Sequence, residues 1–69
     1  MKRGKGMKTD RILGIIIYLM NHDNVPASYL AERFSVSVRT IQRDMISVST
    51  IGVPVYAESG KNGGYSTNL

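Results

Sequence analysis

Apolar residues recur at helical spacing as far as Ile51 and at alternate positions after Gly52, so the chain is expected to fold as helices followed by a small β element. In the first helical stretch, Ile12, Leu13, Ile15, Ile16, Ile17, Leu19 and Met20 sweep an apolar arc of about 200° at roughly 100° per residue, with Arg11, Gly14, Tyr18 and Asn21 opposite. An arc that wide predicts a helix packed on two sides. Thr9 is its expected N-cap, and Asp10 suits the positive end of the helix dipole. The isoleucines would tolerate a strand, but the length of the run and its polar flank, Asn21 to Asn24, favour helix.

Asn24-Val25-Pro26 reads as a turn, with Pro26 at the first position of a second helix. Leu30, Ala31 and Phe34 give that helix an apolar face, with Glu32 and Arg33 outward. Ser35-Val36-Ser37 interrupts it after about two turns. Ser37 is then the expected cap of a third helix, from Val38 to about Thr50, with a buried stripe of Ile41, Met45, Val48 and Ile51, and Gly52 stops it. Beyond, Val53, Val55 and Ala57 alternate with Pro54, Tyr56 and Glu58, and Pro54 confines that strand to an edge or to its own first residues. Residues 60–64 form a turn in which Gly63-Gly64 is expected to supply positive φ, and alternation resumes from Tyr65 to Leu69. The predicted fold class is α+β, three helices followed by a two-stranded hairpin.

Composition narrows what such a fold can do. With 69 residues and no cysteine, the chain buries only about 60% of its unfolded surface, and neither disulfides nor zinc thiolates reinforce it. His22 stands alone, so no metal and no cofactor is expected; its place near the end of the first helix is electrostatically favourable. No apolar run approaches the roughly 18 residues that span a bilayer, and no signal-peptide cleavage pattern follows the first helix, so a cytoplasmic location is expected. The formal net charge of +4 comes from Lys2, Arg3, Lys5 and Lys8, in a segment (1–8) that reads as a disordered basic arm. The remainder, 9–69, reads as one domain in which positive and negative charges balance. Placement of charge therefore matters more than its sum. With no paired nucleophile and base and no phosphate-cradling loop, an enzyme is not expected.

The strongest functional signal is the pair of short helices around the Ser35-Val36-Ser37 break. Val36 is expected to plug the turn from inside, holding the helices at a fixed angle. The outward face of the third helix then carries Arg39, Thr40, Gln42, Arg43 and Ser47. Arginine forks onto guanine O6 and N7, and glutamine onto adenine N6 and N7, in a major groove about 12 Å wide. Ser37 and Thr40 sit where a helix N-terminus favours phosphate. Arg39 and Arg43 have a plainer reading as solvated surface cations. Asp44 would repel phosphate and is read as an internal ion-pair partner, with Arg33 the expected mate. Tyr18 and Tyr29 are read as rim packing.

Residues 30–44, LAERFSVSVRTIQRD, resemble the run of Leu-Ala-acidic, hydrophobic, Val-Ser-x-Arg-Thr-Ile-x-Arg-Asp of bacterial DeoR-type and WYL-domain transcription regulators. GVPVY at 52–56 and GKNGGY at 60–65 are similar to the wing of the WYL group in particular. The resemblance covers roughly residues 8–69; one departure is Pro26, where the family usually places Ser or Thr. It implies a winged helix-turn-helix that binds double-stranded DNA, with the third helix in the major groove and the wing on adjacent backbone. By position, Arg39, Thr40, Gln42 and Arg43 would contact DNA, with Lys61 at the wing tip. It also implies a downstream ligand-sensing or oligomerising domain, through which any small-molecule effector would act. Two alternatives stay open: a winged-helix module for protein interaction or homodimerisation, and a regulatory head detached from an enzyme such as a biotin ligase.

Overall fold

A computed structural model describes residues 8–58 and 63–69. Helix α1 spans Lys8–Asn21, α2 Ala27–Phe34 and α3 Val38–Thr50, followed by strands β1, Tyr56–Ala57, and β2, Tyr65–Ser66. The strands pair antiparallel, Tyr56 opposite Ser66 and Ala57 opposite Tyr65. Three helices followed by a two-stranded hairpin constitute a winged helix-turn-helix, as the change of period at Gly52 predicts. The core joins all the parts: Ile15 and Leu19 from α1, Leu30 and Ala31 from α2, Ile41 and Met45 from α3, and Val25 from the α1–α2 connection.

The first helix departs from its expected orientation. Ile15 and Leu19 are buried, while Leu13, Ile17 and Met20 are 56%, 51% and 52% exposed. Arg11 and Tyr18, expected opposite the apolar arc, lie half-buried on the inner side, and Gly14 abuts the ring of Phe34. The helix meets α3 and β2, and also α2 through Gly14 against Phe34 and Tyr18 against Tyr29, while its Leu13, Ile17 and Met20 side stays exposed. It also begins earlier than expected: Lys8, assigned to the arm, is its first residue, and Thr9 is helical rather than capping.

The α1–α2 connection is more than a turn. Val25 forms a one-residue antiparallel bridge with Tyr65, N–H to carbonyl oxygen at 2.8 Å in both directions, and so adds a third rung beside the hairpin. Its neighbour Asn24 donates its backbone N–H to Ser66 Oγ at 2.8 Å. Pro26 sits at the N-cap rather than the first helical position and makes no side-chain cap. Its carbonyl instead accepts from the N–H groups of Tyr29 and Leu30, which opens α2.

Gly64 has a different role from the one expected. Its φ is not in the left-handed region; what it provides is closeness, since a Cβ there would lie 2.6 Å from both the carbonyl carbon and oxygen of Val25. The bridge to Val25 is possible because nothing projects at Gly64. Gly52 does take positive φ, +100°, and ends α3 in a Schellman motif: Gly52 N–H donates to Ser49 O and Val53 N–H to Val48 O. Because Val53 is spent there and Pro54 has no N–H, the first strand shortens to Tyr56–Ala57. The expected in–out alternation is lost, with Val53, Pro54 and Val55 all half-buried and Tyr56, Ala57 and Glu58 all exposed. Thr67 Oγ1 donates to the Pro54 carbonyl at 2.6 Å and ties this segment to the chain end.

Candidate functional site

The turn between α2 and α3 is built from three residues with separate tasks. Ser35 takes a left-handed conformation, φ 58°, and its N–H reaches Glu32 O while that of Val36 reaches Ala31 O. Val36 packs its half-buried side chain against the core, as expected of the plug. Ser37 caps α3: its Oγ accepts the Thr40 N–H and donates to Thr40 Oγ1, both at 3.1 Å. The Ser37 hydroxyl is thereby committed to the cap, and Thr40, half-buried, is its partner.

Helical period then sorts α3 into two faces. Ile41, Asp44, Met45 and Val48 point inward and are buried. Ile51, expected in the same stripe, is exposed, because the helix has ended and Ile51 sits in its C-cap. Arg39, Gln42 and Arg43 lie exposed on the opposite face, and among the described residues their side chains have no intramolecular partner. Ser47 is half-buried at the margin of that face. Ile46, which the stripe leaves out, stands among the exposed residues at 68% exposure. The periodicity did contain this signal, since an apolar residue off the buried stripe must face outward.

The acid of α3 is kept off this surface. Asp44 is 1% exposed and is clamped in bidentate fashion by Arg11 of α1, Nε to Oδ2 at 2.5 Å and Nη2 to Oδ1 at 3.1 Å. Asp44 is thus the internal partner that the sequence suggests, but its mate is Arg11 and not Arg33. The hydrogen bond to Asp44 raises the Arg11 pKa above its ordinary value, against an opposing desolvation, and the carboxylate's charge adds to the rise. Arg33 instead lies over the Tyr18 ring, 4.7 Å from its centroid, with Nη1 at 3.5 Å from the Tyr29 hydroxyl. Tyr18 also stacks on His22 at 4.0 Å, and His22 Nδ1–H donates to the Tyr18 carbonyl. A carbonyl can only accept, which fixes the proton on Nδ1. These rings line the rim of α1 and α2, as expected of Tyr18 and Tyr29.

Lys61, Gly60 and Asn62 of the wing tip and Lys2, Arg3 and Lys5 of the arm lie outside the described residues. Among the described residues, no group of three His, Asp or Glu side chains is placed to hold a metal, and no helix is long and apolar enough to cross a membrane.

Helix, tight turn, second helix with a solvent-facing polar surface, and a following hairpin define a winged helix-turn-helix module. Residues 11–66 match the HTH domain family, and the chain belongs to it. It is 41% identical over 58 residues to a protein of Bacillus subtilis (strain 168) named as an uncharacterized HTH-type transcriptional regulator, YobV. That match covers 84% of this chain but only 18% of YobV, so the chain spans less than a fifth of that relative's length.

Proposed function

We propose that this chain is the DNA-reading domain of a transcription regulator of the DeoR and WYL type, binding double-stranded DNA with α3 in the major groove. One observation carries the reading: Arg39, Gln42 and Arg43 share an exposed face without intramolecular partners among the described residues, while the only acid of α3 is buried against Arg11. Two guanidiniums and an amide form the donor and acceptor set that distinguishes guanine and adenine in the major groove. The amides of the α3 N-terminus and the Thr40 hydroxyl serve the phosphate backbone, where a helix dipole favours anions. Ser37 acts through Thr40, holding that terminus in shape, and Ser47 flanks the reading face. Lys61 contacts backbone beside the groove.

A second reading, homodimerisation, draws on another observation. Leu13, Ile17 and Met20 leave an apolar stripe exposed on α1, and one reading helix covers too few base pairs to find a site in a genome. Pairing two copies places two reading helices on half-sites about one helical turn apart. The chain alone is a monomer or weak dimer in this reading.

The test is selection of a duplex from a random pool, followed by fluorescence anisotropy with alanine variants of Arg39, Gln42 and Arg43. Loss of a base-reading side chain costs about 1–3 kcal/mol and relaxes preference at particular base pairs. Wild-type binding by all three variants would overturn the docking.

A further inference from the structure

The reading face of α3 changes character along its length. Arg39, Gln42 and Arg43 occupy its first half, whereas residues 45–50 carry no charge at all. In projection at about 100° per residue, Ile46 falls between Gln42 and Arg43 and one turn beyond them. At 68% exposure it is the most exposed large apolar side chain among the described residues. One turn further on, the Thr50 hydroxyl donates back to the Ile46 carbonyl at 2.8 Å.

An isoleucine offers a base neither donor nor acceptor. The major-groove edge of only one standard base presents an apolar group, the C5 methyl of thymine. Ile46 lies about 4.5 Å along the helix axis from Arg43, close to one base step of roughly 3.4 Å. We propose that Ile46 is a specificity-determining residue that packs on the C5 methyl of a thymine beside the base pair met by Arg43 or Gln42. The assignment rests on the groove docking proposed above.

The experiment uses the full chain and the selected duplex, with each thymine replaced in turn by deoxyuridine, which removes the methyl and nothing else. Wild type is expected to lose about fourfold in affinity at one thymine, the effect of uncovering one buried methyl group. Ile46→Ala is expected to bind the parent duplex more weakly and to be indifferent to that replacement, while Ile46→Val keeps most of the sensitivity. Alanine at an exposed helical position favours the helix, and a thermal melt verifies that the variant is folded. If no thymine is sensitive, or Ile46→Ala retains the full sensitivity, the assignment is overturned while groove docking stands. If the chain selects no duplex, groove docking fails and takes this assignment with it.

Discussion

Removing Arg11 should be among the most damaging single changes, although arginine is ordinarily a surface residue. Asp44 is 1% exposed, and the Arg11 side chain that clamps it is 17% exposed, so the pair is shielded enough that salt screening counts for little. Arg11→Met keeps the aliphatic stem against the core but leaves a carboxylate buried without a partner, a loss of about 3–5 kcal/mol. A domain of 69 residues has roughly 3–10 kcal/mol of stability in total. The variant should therefore be largely unfolded at 37 °C or close to its midpoint. Arg11→Met with Asp44→Leu removes both charges at similar volume and should recover most or all of the loss, as replaced buried pairs often do. Urea unfolding followed by circular dichroism measures wild type, Arg11→Met, Asp44→Leu and the double variant. A single variant within about 1 kcal/mol of wild type, or a double variant whose loss is the sum of the singles, would show that the pair does not behave as a buried unit.

Gly64→Ala should cost about 2–3 kcal/mol, since its Cβ would meet the Val25 backbone at 2.6 Å and that backbone cannot yield without breaking the bridge to Tyr65; a melting temperature equal to wild type would contradict this. Ser35→Gly should stabilise by about 1 kcal/mol, because glycine adopts φ 58° without the Cβ clash that serine carries there; the urea midpoint reports it. In duplex binding, log affinity should fall with log salt at a slope of about −3 to −5, and Lys61→Ala should reduce that slope by about one while weakening all sequences alike. An unchanged slope would place Lys61 away from phosphate.

Much of this protein is set by local chemistry and so is legible from the chain alone. A serine hydroxyl can accept the N–H three residues on and so favours opening a helix, and Ser37 does so at the start of α3. Gly52 stops that helix because its +100° φ suits a residue without a Cβ. Once Ile41, Met45 and Val48 are committed to the core, the helical period alone turns Arg39, Gln42 and Arg43 outward. The candidate reading face is therefore legible in the spacing of the apolar residues. Tertiary packing decided the rest. Seven apolar residues on α1 span more arc than α3 and β2 cover, so the pattern could not say that Ile15 and Leu19 would be buried and Leu13, Ile17 and Met20 left exposed. Asp44 could have met either arginine; only the placement of α1 across α3 brings Arg11 to it from 33 positions away. The Val25–Tyr65 bridge is a single rung with no period to betray it, and the role of Gly64 follows from that rung. Periodicity and capping act within one or two helical turns, whereas partner choice depends on which surfaces meet, and that is fixed only when the whole core packs.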